Sequence, residues 1–162
     1  MHEDDYDECQ AWLTRLQAEQ RRVHELLSEA RTQIESGKSA SYKLLGAGQT
    51  LEKLRAELQR HFSEEERGGC LDEAVARAPC LASEASRLMG EHAELLHALD
   101  HLIELVMGPA RMRGAKLETE FARLCHRLEE HEVKEFSLLQ RSFGLRTNGG
   151  AKWGASPPTI RL

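Results

Sequence analysis

Residues 117–138 read LETEFARLCHRLEEHEVKEFSL. Within them Leu117, Phe121, Leu124, Leu128, His131, Glu135 and Leu138 follow one another at alternating steps of four and three, the spacing that lines one face of an α-helix. Two members of that otherwise apolar stripe are ionisable. An earlier segment repeats the pattern with Leu51, Leu54, Leu58, His61 and Glu65, and a third does so with Leu88, His92, Leu95, Leu99, Leu102 and Val106. The first segment, roughly 5–36, spaces Trp12, Leu13, Leu16, Val23, Leu26, Leu27, Ala30 and Ile34 by mixed steps of three and four. His24 lies at the edge of its apolar face.

Glycine and proline punctuate these segments. Gly37 stops the first helix. The small-residue stretch Gly37 to Gly48 reads as a loop or weak helix broken at Gly46-Ala47-Gly48, and the second helix ends at Arg67 before Gly68-Gly69. Residues 70–80, bracketed by Cys70 and Pro79-Cys80, form a connection with room for one helical turn. The third helix spans about 82–107 and ends at Gly108-Pro109; the fourth runs from Gly114 or Lys116 to Phe143-Gly144. Four helices with short or moderate connections predict an all-α, antiparallel up-down four-helix bundle over residues 1–144. From Leu145 the chain has no periodicity, with Gly149-Gly150 and Pro157-Pro158, and residues 145–162 read as a disordered or loosely docked tail.

Composition agrees with this and removes several function classes. The chain has 162 residues, of which 40% are hydrophobic and 30% charged, with 22 basic against 27 acidic residues. That length supports a real core without disulfide or zinc staples. A net charge of −5 with no long Lys/Arg run argues against nucleic-acid binding. No apolar run approaches the roughly 18 residues of a membrane span. The acidic start, MHEDDYDE, is unlike a secretory or mitochondrial signal, and four scattered cysteines (Cys9, Cys70, Cys80, Cys125) make no disulfide framework. The cytoplasm is the expected compartment.

The chemistry lies in the polar members of the seams. An unpaired carboxylate in a core costs several kcal/mol, and an unsatisfied imidazole about 1–3 kcal/mol more. Metal cations supply the missing partners, since neutral imidazole and carboxylate are good ligands for first-row metals. In His61-x3-Glu65 and His131-x3-Glu135 the i,i+4 spacing sets both groups on one face. The histidine then caps one ion while the glutamate reaches across two. Leu-x3-Leu-x2-His-x3-Glu occurs twice, at Leu54, Leu58, His61, Glu65 and at Leu124, Leu128, His131, Glu135, offset by 70 residues (131 against 61, 135 against 65). His24/Leu27 and His92/Leu95 echo one another at an offset of 68. A dinuclear site between two related helix pairs is the economical reading.

Heights along the bundle follow from the ~1.5 Å rise per residue. His92 lies about 15 residues before Met107 and His131 about 15 after Lys116, so these two are level. His24 lies about 12 residues before the end of its helix. A level His61 therefore requires the second helix to begin near position 49, which favours a break at Gly46–Gly48.

The arrangement His24 … His61-x3-Glu65 … His92 … His131-x3-Glu135 resembles the hemerythrin-like (HHE) domain over roughly residues 10–143, with "LQRHFSEEE", "GEHAELL" and "LEEHEVKEF" as its signature-like segments. The resemblance implies a non-haem centre of two iron ions, oxo- or hydroxo-bridged, in a four-helix bundle. His24 and His61 would hold one iron, His92 and His131 the other, and Glu65 and Glu135 would bridge them. One position departs from the oxygen-carrying members: where they place a further histidine, one turn after the one matching His92, this chain has Leu96. One iron then lacks a protein ligand unless Glu64, Glu94 or solvent supplies it. An opened coordination shell favours sensing, iron or oxygen handling, or peroxide and NO chemistry over reversible transport.

Other candidates have plainer readings. His97 and His101 flank Asp100 and Glu104, and His97 points about 200° from Leu99, which is the geometry of a solvated face. His126 lies off the seam and His2 on a terminus. Cys70 and Cys80 match no zinc spacing, and Cys9 and Cys125 read as packing residues. The acidic start and the basic residues Arg141, Arg146, Lys152 and Arg161 would share one end of the bundle. Trp153 offers an anchor for a partner or for the domain itself. The expected function is a di-iron protein that binds oxygen or a related diatomic ligand or peroxide. The alternatives are a di-iron enzyme (oxidase, peroxidase or NO reductase) and a metal-free helical interaction module. Nothing in the residues names a protein partner.

Overall fold

The structure, a computed structural model, describes residues 3–37, 41–67, 69–109 and 114–144, with side chains for 14–37, 44–67, 69–109 and 116–144. Helix α1 spans Glu3–Gly37, α2 Ser41–Glu66, the short α3 Cys70–Arg77, α4 Ala82–Met107 and α5 Gly114–Ser142, with a 3-10 turn over Pro79–Leu81. No strand occurs among the described residues, and none of the described helices is long and apolar enough to cross a membrane. The tail 145–162 with Trp153 and the residue His2 lie outside what is described, as do the side chains of the acidic start, Cys9, Trp12 and Leu13; of the basic residues expected to meet that start, Arg141 pairs with Glu84.

Contacts between neighbouring long helices run in opposite numerical senses. Between α1 and α2, Glu19 meets His61, Arg22 meets Glu57, and Glu29 meets Thr50. Between α2 and α4, Arg55 pairs with Asp100 and Glu66 with His92. Across α4 and α5, Glu94 pairs with Arg127 and Glu91 with His131 and Lys134. Finally, α1 meets α5 through His24–Glu132 and Arg31–Cys125.

The second helix is unbroken from Ser41, which corrects the break expected at Gly46–Gly48. Glycine costs a helix interior about 1 kcal/mol relative to alanine, but tertiary packing outweighs that. Ala47 and Thr50 are buried, and a Cβ on Gly48 would stand 2.8 Å from Met107 Sδ and 3.6 Å from Val106 Cγ1. Gly48 thins one face of α2 so that the end of α4 can approach it, while Gly46 faces Gln33 of α1. Residues 70–80, expected to hold one turn, instead form α3 and the 3-10 turn, with Cys70, Leu71, Ala74 and Leu81 buried.

Two apolar clusters fill the interior. The larger contains Val23 and Leu27 of α1, Leu54, Leu58 and Phe62 of α2, Leu95 and Leu99 of α4, and Leu124 and Leu128 of α5. The smaller gathers Leu16, Cys70, Leu71, Leu81, Leu88, Leu138 and Leu139. In chain position, the ionisable seam residues of α2, α4 and α5 fall between members of one cluster and members of the other. They form a polar layer inside the bundle.

Gly69 closes that layer from behind. A Cβ there would meet the Glu64 carbonyl oxygen at 2.2 Å and Glu65 Cα at 2.8 Å, so the chain folds back directly against the end of α2. Gly90, exposed on α4, has open space around its missing Cβ. Urea unfolding should therefore show Gly90→Ala stabilising the protein by about 0.5–1 kcal/mol. Gly69→Ala should destabilise it by about 1–3 kcal/mol, because backbone must shift to admit the methyl group.

Candidate metal centre

Five of the six side chains singled out by the seams converge in the polar layer. Helix α2 supplies His61 and Glu65, α4 supplies His92, and α5 supplies His131 and Glu135; all five are buried, Glu135 to 1% exposure and His92 and His131 to 2%. Donor atoms of Glu65, His92 and His131 lie within 4.8 Å of one another, as do those of His61, Glu65 and Glu135. Glu65 belongs to both groups.

Each histidine is held by its outer nitrogen. His61 Nδ1 lies 2.8 Å from Glu19 Oε2, His92 Nδ1 2.8 Å from Glu66 Oε1, and His131 Nδ1 3.0 Å from Glu91 Oε2. A carboxylate accepts only, so each Nδ1 carries the proton and donates, and Nε2 turns inward. The outer carboxylates of His61 and His131 are braced in turn by surface cations. Arg60 donates to Glu19 at 3.1 Å and Lys134 to Glu91 at 2.8 Å. Phe62 stacks on His92 with ring centres 4.0 Å apart and meets His131 edge-on at 5.6 Å, fixing both ring planes.

Inside the ring of donors the polar atoms lack hydrogen-bond partners. His61 Nε2 and Glu65 Oε1 are 2.9 Å apart and His92 Nε2 and Glu65 Oε2 3.2 Å apart. Even so, both Glu65 oxygens, His92 Nε2, His131 Nε2 and Glu135 Oε2 are buried without a hydrogen bond. Each such atom costs about 1–3 kcal/mol unless a proton or an ion occupies the space between the donors. Ions at the two donor groups would satisfy them. The donors, neutral imidazole and carboxylate with outer carboxylates behind the rings, are those of a transition-metal site. These buried groups can hold a metal ion.

Without an ion, protons balance the charge. Burial pulls the His61 imidazole down, but Glu65 and Glu19 outweigh it and hold it at about 9. Burial raises the Glu65 carboxyl, yet His61 and His92 keep it well below the usual carboxylate range. Glu135 is driven far above that range by burial and by the Glu65 charge beside it. Burial also lowers His131, against the pull of Glu91. Cys70, whose Sγ lies 3.9 Å from Glu135 Oε1, is pushed up by burial and by both carboxylates.

His24 stands apart from both donor groups. Its Nε2 lies 2.9 Å from Glu132 Oε2, the hydrogen bond that raises its pKa against the opposing effect of burial. At the level of His61, α1 presents Glu19 instead. The outer carboxylates Glu19, Glu66 and Glu91 were not among the seam residues, nor was Phe62. Glu66 and Glu91 adjoin the candidate ligands Glu65 and His92 in sequence, and Glu19 sits three residues after buried Leu16 and four before buried Val23. Those spacings are the signal that could have found them. Glu64 and Glu94, considered for the place left by Leu96, are surface residues paired with Arg60 and Arg127. Leu96 packs against the larger apolar cluster. His101 is half-buried beside Glu104 and His126 exposed beside Glu130, and Cys70, Cys80 and Cys125 are free thiols.

Two measurements on chelator-treated protein check these electrostatics. The His24–Glu132 pair favours the imidazolium, so its contribution is complete below the unfolded pKa of about 6.5 and is lost as pH rises through the higher folded value. His24→Gln, which keeps a neutral donor, should therefore cost about 1–2 kcal/mol at pH 6 and close to nothing at pH 10. In the cluster, Glu135→Gln should leave stability at pH 7 unchanged or raised, since it removes a carboxyl that burial opposes. Glu65→Gln should lower it by about 1–3 kcal/mol, because the His61 charge loses one of its two carboxylate partners.

Comparison of the chain with protein-family models, with curated proteins and with solved structures finds no match.

Proposed function

We propose that this chain is a hemerythrin-like protein, an antiparallel up-down four-helix bundle that holds a non-haem di-iron centre and binds oxygen or a related small ligand. The observation that carries this reading is the inward-turned, unsatisfied Nε2 of His92 and His131 opposite the equally unsatisfied oxygens of Glu65, with each ring tied outward to a carboxylate. Iron, when bound, supplies a redox-active ion with room for an added ligand. The protein orients the donors and keeps bulk water out.

Phe62, Leu58 and Leu128 wall the layer on the side of the larger cluster, while Leu71, Leu88 and Leu138 belong to the cluster beyond it. A cavity with space for about one water molecule reaches His61 and His131 between α1, α2 and α5, lined also by Glu19, Gln20, Val23 and Glu132. The described cysteines are free thiols, the form that the reducing cytoplasm maintains.

Protein expressed in iron-containing medium should carry about two irons per chain and show the near-ultraviolet absorption of a bridged ferric pair. His61→Ala combined with His131→Ala should abolish both. Less than one iron per chain, unaffected by that double substitution, would defeat the reading. Reversible bleaching on reduction and reoxygenation is the expected behaviour of a binding protein, whereas rapid consumption of oxygen or peroxide would mark an enzyme.

A further inference from the structure

The two donor groups share Glu65 but are otherwise unlike. One completes itself with two imidazoles, His92 and His131, whose ring centres are 5.0 Å apart; the other adds one imidazole, His61, and a second carboxylate, Glu135. Nothing among the described side chains of α1 evens the count. His24 is engaged by Glu132, and Glu19 is spent on the outer nitrogen of His61, with Arg60 behind it. Every unsatisfied atom of the first group is on Glu65, His92 or His131, and the second adds Glu135 Oε2, on a side chain only 1% exposed. The inequality is therefore a property of buried, preformed donors rather than of surface acids.

Ligand type sorts divalent ions. Imidazole-rich sets favour the later first-row metals, such as Co2+ and Zn2+, whereas carboxylate-rich sets suit Mn2+ and other harder ions. We propose that the centre has two unequal ion positions that fill in order. The Glu65–His92–His131 position takes an imidazole-seeking ion first, and the His61–Glu65–Glu135 position then accepts a harder ion such as Mn2+. This rests on the dinuclear reading above and adds to it a loading order and tolerance of a mixed pair. Glu65 couples the positions, because one of its oxygens lies 3.2 Å from His92 Nε2 and the other 2.9 Å from His61 Nε2.

The test is a titration of chelator-treated full-length protein with Zn2+ followed by Mn2+, read by calorimetry and by the loss of the free Mn2+ electron-paramagnetic-resonance signal. One equivalent of Zn2+ should bind about tenfold or more tightly than the second, and protein loaded with one Zn2+ should then take up one Mn2+. Glu135→Gln should weaken Mn2+ uptake about tenfold or more while leaving the first Zn2+ within about threefold; His92→Ala should do the reverse. Two Zn2+ of equal affinity, or no Mn2+ uptake by the Zn2+-loaded wild type, would overturn the proposal and leave the dinuclear reading standing. No Zn2+ binding at all would sink both. The wild-type titration decides the matter even where a variant fails to fold.

Discussion

Glu65 faces His61 and His92 with its two oxygens, and those imidazoles can face it only because Glu19 and Glu66 hold them from the other side. Each ring is pinned at Nδ1 and so presents Nε2 in a fixed direction. The pinning reaches the surface, where Arg60 braces Glu19 and Lys134 braces Glu91. A histidine without such a partner would rotate to satisfy itself, and the layer would lose its convergence. Preorganisation here is electrostatic and begins outside the core.

The layer also shapes the fold around it. Apolar packing on its two sides belongs to separate clusters, so the bundle is two cores joined through a polar plane. Burying five polar side chains between them is expensive for stability and only worthwhile for what the plane can bind. The turn at Gly69 belongs to the same economy. By folding against the backbone of Glu64 and Glu65 it seats Cys70 and Leu71 over the layer, where a longer loop would admit water.

How far the sequence reveals this can be read helix by helix. On α5, α4 and α2 the seam periodicity alone placed His131, Glu135, His92, His61 and Glu65, because a polar residue interrupting a leucine stripe has nowhere else to point. Periodicity reports face, however, and not height. On α1 the height came from assuming that Gly46-Ala47-Gly48 ends a helix. The structure runs α2 back to Ser41, which puts His61 some 20 residues into it and lowers its partner on α1 from His24 to Glu19. Two glycines inside a helix read identically whether they break it or let a neighbour approach, and only the contact of Gly48 with Val106 and Met107 shows the second. The outer carboxylates escaped for a related reason: a glutamate beside a seam residue resembles any solvated glutamate until the facing helix is in place.

That shift in height changes the chemistry available to the centre. With His24 level, α1 would have added an imidazole and made the two halves of the layer equivalent. With Glu19 there, α1 contributes a carboxylate that orients His61 and stabilises its proton. When no ion is bound, the proton on His61 offsets the Glu65 charge, and burial favours the neutral form of Glu135. An ion bound at these donors would displace those protons. The same residues that make the metal-free bundle tolerable thus keep it shaped for binding, and the half of the layer that holds its protons most firmly is the half with fewer imidazoles.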